Sequence, residues 1–103
     1  MTSDELKAIA GYIPEWQYND SWGLFKKVIR PIDKINPIIL DSNSAWECVQ
    51  EIIKKKHYMP FEIYAAEQWL ADKESELQFV FWLYNPKNFF SCFGKWCLER
   101  RGE

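Results

Sequence analysis

Glycine is scarce in this chain, and the four present, Gly11, Gly23, Gly94 and Gly102, stand far apart. No phosphate-cradling loop of the P-loop or dinucleotide type can be assembled from them, because such loops need clustered glycines for the backbone to approach the phosphates. Histidine is scarcer still: His57 is the only one. Metal sites with two or more imidazoles are thereby excluded, and any His-based catalysis would rest on one residue. The three cysteines, Cys48, Cys92 and Cys97, are an odd number without a close pair. They suit neither a disulfide framework nor a zinc site, so reduced, mostly buried thiols are expected. Five positions along a helix would also turn Cys92 and Cys97 well apart. No apolar run approaches the ~20 residues that span a bilayer. Met1-Thr2-Ser3-Asp4-Glu5 has neither the basic nor the apolar region of a secretory signal, so the cytoplasm is the expected compartment. Charge of one sign is lacking too: thirteen Lys and Arg against fifteen Asp and Glu leave −2. General attraction to nucleic acid or anionic lipid is disfavoured.

What the chain has in quantity is aromatic residues. Six Trp, five Tyr and seven Phe occur in 103 residues, a length that fits a single domain over 1–103, since half of it could not build a second core. Disorder is not expected of a chain with this abundance. A small core does not easily hide so many rings, so some exposed aromatic surface is expected.

Along the chain, Thr2 or Ser3 caps a short helix over 4–10, with acidic residues in its first turn and Gly11 as its stop. From 12 to 20 the pattern loses its period and reads as a loop or a loosely formed hairpin arm. Residues 21–29 have β-type content and run into Pro31, which predicts a strand. Two prolines then make 30–40 a connection, with a few extended residues from Pro37 onward. Ser44-Ala-Trp-Glu47 has capping-box spacing, which predicts a helix over 44–56. Ala45, Trp46, Val49, Ile52 and Ile53 form its apolar face. Glu51 and Lys55 make a favourable i,i+4 pair, and the terminal lysines suit the helix dipole.

Phe61, Ile63 and Ala65 alternate with Glu62 and Tyr64, the pattern of a half-buried strand. The helix formers that follow, with Pro60 near a helix start, keep a helix over 61–73 as the alternative. Residues 77–84, Leu-Gln-Phe-Val-Phe-Trp-Leu-Tyr, read as a central strand apolar on both faces and closed by Asn85-Pro86. Asn88 caps a final helix over 89–100. The elements predict an α+β fold: a small antiparallel or mixed sheet of about three strands with helices packed on it.

The segment Asp41-Ser-Asn-Ser-Ala-Trp-Glu-Cys-Val-Gln-Glu-Ile resembles the helix of the phage ABA-sandwich domain family, in which an Asp and small polar residues lead into Ala-Trp, a hydrophobic pair and Glu. The early short helix, Trp16, the Phe61-Glu62-Ile63 segment and the C-terminal helix follow the family's order. The resemblance implies a phage or prophage origin and an αβα-type sandwich. The family carries no established catalytic residues. This chain departs from it in a bulkier last helix, Phe89-Phe-Ser-Cys-Phe-Gly-Lys-Trp-Cys97, and in the stretch over 69–76.

The chemistry-bearing residues are weighed against plainer roles. His57, beside a lysine-rich helix end, reads as an exposed neighbour of the dipole before it reads as a catalyst. Glu47 is claimed by the cap and Glu51 by Lys55, so no glycosidase-type pair is indicated. Lys26, Lys27, Arg30 and Lys34 interleave with Trp22 and Phe25 as in single-strand binders, but lysines on a strand edge also deter edge pairing, and the net charge favours that second role. The expected activity is non-enzymatic protein binding through Trp16, Tyr18, Trp69 and Tyr84, to a host or phage protein or to a second copy of the chain. The alternative is a small-ligand or nucleotide-binding module directed at host defence signalling, with Lys26 and Arg30 as its cations. No cofactor is called for.

Overall fold

The computed structural model describes residues 1–27, 36–72 and 76–100. In chain order these form α1 (Ser3–Tyr12), β1 (Trp16–Asn19), β2 (Gly23–Lys26), β3 (Asn36–Pro37), α2 (Ser42–Lys54), α3 (Tyr58–Ala71), α4 (Phe79–Tyr84) and α5 (Pro86–Arg100). The fold class is α+β, a three-stranded antiparallel sheet in the order β1-β2-β3 with helices packed against it.

Thr2 caps α1 through its hydroxyl, which accepts from the Glu5 amide at 3.2 Å. Beyond α1 the aperiodic stretch contains β1, and Gln17 pairs with Phe25 of β2. The hairpin turns on Asn19, whose side chain accepts from the Ser21 amide at 2.8 Å and whose carbonyl accepts from Trp22. Gly23 closes the turn at φ 70°, a conformation that favours glycine. Pro37 lies in the short edge strand, where its missing N–H costs nothing. The ends of the predicted strand and connection, 28–35, lie outside the described residues, and so does Arg30.

The core runs from the sheet into the helices. α1 lies on β1 and β2 and crosses α5, while α3 packs on α5, α4 and α2. At the α1–α5 crossing Gly94 lets the helices approach: an added Cβ would stand 2.9 Å from Met1 Sδ and 3.2 Å from Glu5 Cβ. Phe61 meets Phe89, Phe93 and Trp96 edge-on, with centroids 5.4–5.9 Å apart. That geometry sets the positive ring edges against the negative faces.

Four expectations are corrected, the simplest being that α5 starts at Pro86, so Asn88 lies in its first turn rather than at its cap. The α2 cap is Asp41, not Ser44, and the helix starts at Ser42. Asp41 Oδ1 accepts from the Ser44 amide at 3.0 Å and Ser44 Oγ accepts from the Asp41 amide at 2.9 Å, so serine holds the third helical position of the box rather than its cap. Freed from that role, Glu47 pairs with Lys26 at 3.3 Å, and Glu51 pairs with Lys55 at 3.7 Å. The buried face of α2 is accordingly Cys48 and Ile52, with Trp46 and Ile53 exposed.

Residues 61–65 belong to a helix. Phe61 and Ala65 are buried, as either period requires, but Ile63, which a strand would bury beside them, is 56 % exposed. Pro60 falls in the first turn, where no intrahelical donor is needed. Residues 79–84 are also helical. Phe79, Trp82 and Leu83 face inward at helical spacing, and Val80, Phe81 and Tyr84 face out. Two polar anchors hold this short helix: Trp82 Nε1 donates to Asp72 Oδ2 at 2.8 Å, and the Trp82 carbonyl accepts from Asn88 Nδ2 at 3.0 Å. Among the described residues the strands therefore all precede α2 in the chain, and a doubly covered central strand over 77–84 is absent.

Candidate interaction surface

The surface is set by how α3 begins. α2 ends in a Schellman arrangement: the Lys56 amide donates to the Ile53 carbonyl and the His57 amide to the Ile52 carbonyl, both at 2.9 Å. Lys56 takes φ 60°, a position glycine usually fills. His57 follows as the residue before α3, and its ring is fixed on both sides. Tyr12 Oη lies 3.0 Å from Nδ1 and Arg100 Nη2 lies 3.4 Å from Nε2. A guanidinium only donates, so Nε2 accepts, and in the neutral ring Nδ1 carries the proton and donates to the phenol oxygen. His57 is thus a half-buried junction between α1, α3 and α5, not an exposed helix-end neighbour.

Cations complete the junction. Lys55 Nζ sits 3.9 Å from the centre of the Tyr12 ring and donates to the Tyr12 carbonyl, and the Arg100 guanidinium lies 4.9 Å over Trp96. Burial, and then the Cys97 thiol, push the Tyr12 phenol up to about 12, while Arg100 opposes them. With both histidine nitrogens engaged and the tyrosine held protonated, this cluster fastens three helices together. Among the described residues no group of three or more His, Cys, Asp and Glu could hold a metal, and no helix is long and apolar enough to cross a membrane. Cys48, Cys92 and Cys97 are free and buried.

Anchored at this end, α3 shows apolar residues on both sides. Its inner side carries Phe61 and Ala65; its outer side carries Met59, Ile63 and Leu70, which are 66 %, 56 % and 71 % exposed. A helix apolar all round is normally covered all round. α4, which packs on α3, is likewise exposed at Val80, Phe81 and Tyr84, the last 74 % exposed. The two helices are joined through Trp69. Trp69 Nε1 donates to the Leu77 carbonyl at 2.8 Å and its ring lies 5.7 Å from Phe79. At the other end the Tyr58 phenol is raised first by burial, then by the nearby Glu62 and Tyr84.

The residues singled out from sequence are dispersed. Tyr84 lies on this outer surface, and Trp69 is half-buried beneath its α3–α4 edge. Trp16, 2 % exposed, belongs to the core and offers no ring face to a partner. Tyr18 is half-buried under Lys7, whose Nζ is 5.8 Å from the ring centre, in a depression of about 620 Å³ that Lys27 also borders. Lys26 is engaged with Glu47, while Arg30 falls outside the described residues. Sequence reasoning missed Met59, Ile63, Leu70 and Phe81. For the three on α3 the signal was the spacing 59-63-66-70, visible only once the helical alternative for this segment is adopted.

No family model, curated protein or solved structure matches the chain.

Proposed function

We propose that this chain is a non-enzymatic accessory protein of phage or prophage origin that works in the bacterial cytoplasm by docking its α3–α4 surface onto another protein chain. The observation that carries it is the number of large apolar residues that two contacting helices, α3 and α4, leave exposed among the described residues. Patches of this kind, rimmed by polar groups, mark interaction sites. Phe81 and Tyr84 are the anchors, since aromatic side chains gain much contact area for little lost rotamer freedom. The likeness of 41–52 to phage ABA-sandwich domains supports the origin.

A tagged chain used as bait in bacterial lysate tests this. Retention of a defined partner by the natural chain and its loss with Phe81→Ser plus Tyr84→Ser is expected. Equal retention by both contradicts it. The small-ligand alternative draws support from the depression beside Tyr18, where Lys7 and Lys27 stand near an aromatic ring. Thermal shift with a nucleotide panel tests it, and no stabilisation by any nucleotide retires it.

A further inference from the structure

Among the described residues Glu5 is the only charged one that folding buries, at 8 % exposure. It stands three residues after the α1 cap, Thr2, where a capping box would turn its carboxylate back to the Thr2 amide. Thr2 makes its half of that box and Glu5 does not. Among the described residues no hydrogen bond or ion pair reaches the Glu5 carboxylate. The side chain lies across α5 instead: a Cβ added at Gly94 would stand 3.1 Å from Glu5 Oε2, so the glycine leaves the carboxylate its seat.

A carboxylate taken out of water without a partner is costly. Its oxygens are not sealed, because no side-chain oxygen of a described residue is both unpartnered and closed to solvent. Glu5 lines a depression of about 430 Å³ between the start of α1, Leu40 and α5, a size within the ~300–1,000 Å³ of small-molecule sites. Lys87, Ser91 and Lys95, each four residues from the next and all exposed, border it along one side of α5. Leu40 and Phe90 add apolar wall.

This lining discriminates between kinds of occupant. A single carboxylate gives a metal ion one ligand, too few to hold it. A simple cation would satisfy Glu5 but meet two lysines at the rim, and a simple anion would satisfy the lysines but meet Glu5. A molecule that carries both charges and an apolar body answers all three parts of the lining. We propose that this depression binds a small zwitterion with an apolar side chain, the chemistry of a free apolar α-amino acid. Its ammonium donates to Glu5, its carboxylate faces Lys87 and Lys95, and its side chain lies against Leu40 and Phe90. The site shares no residue with the exposed apolar side chains of α3 and α4 or with the depression beside Tyr18. It stands independently of both.

Amide-shift titration of the natural chain with L-leucine, L-methionine and L-phenylalanine tests the proposal. At least one should give saturable shifts gathered on residues 2–5 and 87–95. N-acetylation of that amino acid removes its positive charge, amidation removes its negative one, and each should weaken binding at least ten-fold. Glu5→Gln, which keeps the size of the side chain, should weaken the free amino acid at least ten-fold with unchanged circular dichroism. Saturation by none of the three overturns the proposal, as do shifts centred on Tyr18 or on α3 and α4. Equal binding of the free and acetylated forms overturns it too, and that comparison needs no variant to fold.

Discussion

Tyr12 Oη and His57 Nδ1 lie 3.0 Å apart across 45 residues of sequence, and this contact joins the end of α1 to the residue that opens α3. The outer surface of α3 is therefore aimed by a half-buried polar junction rather than by the α2–α3 turn alone. Tyr12→Phe removes one hydrogen bond and should cost about 1 kcal/mol of stability. His57→Ala removes the ring's contacts to both Tyr12 and Arg100 and should cost about 1–3 kcal/mol. Urea unfolding measures both. Equal stability of all three chains would show that the junction holds nothing.

Alkali should loosen the fold well before it attacks the chain. Burial pushes the Cys92 thiol up to about 11 and the Cys97 thiol up to about 12, and raises Cys48 further. The unfolded chain releases thiol protons around ~9 and phenol protons around ~10. Above pH ~9 the unfolded state thus binds fewer protons than the folded state, so stability declines as pH rises, the share of Cys92 and Cys97 being lost by pH ~12 and that of Cys48 only above it. Below pH ~9 it is fully present. The decline should reach on the order of a few kcal/mol, read from denaturant midpoints between pH 8 and 11.

The position of the α2 cap is separable by mutation. Asp41→Ala should cost about 1 kcal/mol, the usual value of an N-cap. Glu47→Ala removes only a half-exposed ion pair with Lys26 and should cost less, since such pairs contribute roughly 0–1 kcal/mol. The reverse order would return the cap to Ser44 and Glu47.

At Lys56 the backbone takes φ 60°, which a lysine adopts at a cost. Lys56→Gly should stabilise the chain by up to about 1 kcal/mol, because relief of that strain outweighs the added freedom of glycine in the unfolded state. A shift of the thermal midpoint measures it, and a lowered midpoint contradicts the left-handed turn.

The elements that sequence located are those whose signals are local. The acidic first turn of α1, the proline after β2 and the polar entry to α2 each act within a few residues. α3 and α4 were misassigned because their patterns are degenerate. Phe61 and Ala65 satisfy both the two-residue and the 3.6-residue period, so only the burial of Ile63 could separate them, and burial is decided by α5 and α4. Every residue from Phe79 to Tyr84 is apolar, so no period exists to read, and β-propensity gives way to side-chain anchors at Asp72 and Asn88, beyond either end of the segment. The surface followed the same logic. Tyr84 was legible as an exposed aromatic, whereas Trp16 looks equally suited to contact until α1 and the sheet close over it.

The most direct test of the α3–α4 surface as the place where this protein meets another chain is an amide-shift map on titration with the partner retained from lysate. Shifts should gather on Met59–Leu70 and Phe79–Tyr84 and vanish with Ile63→Glu. Shifts centred on Trp22 or Trp46 instead, or no partner from lysate, would contradict it.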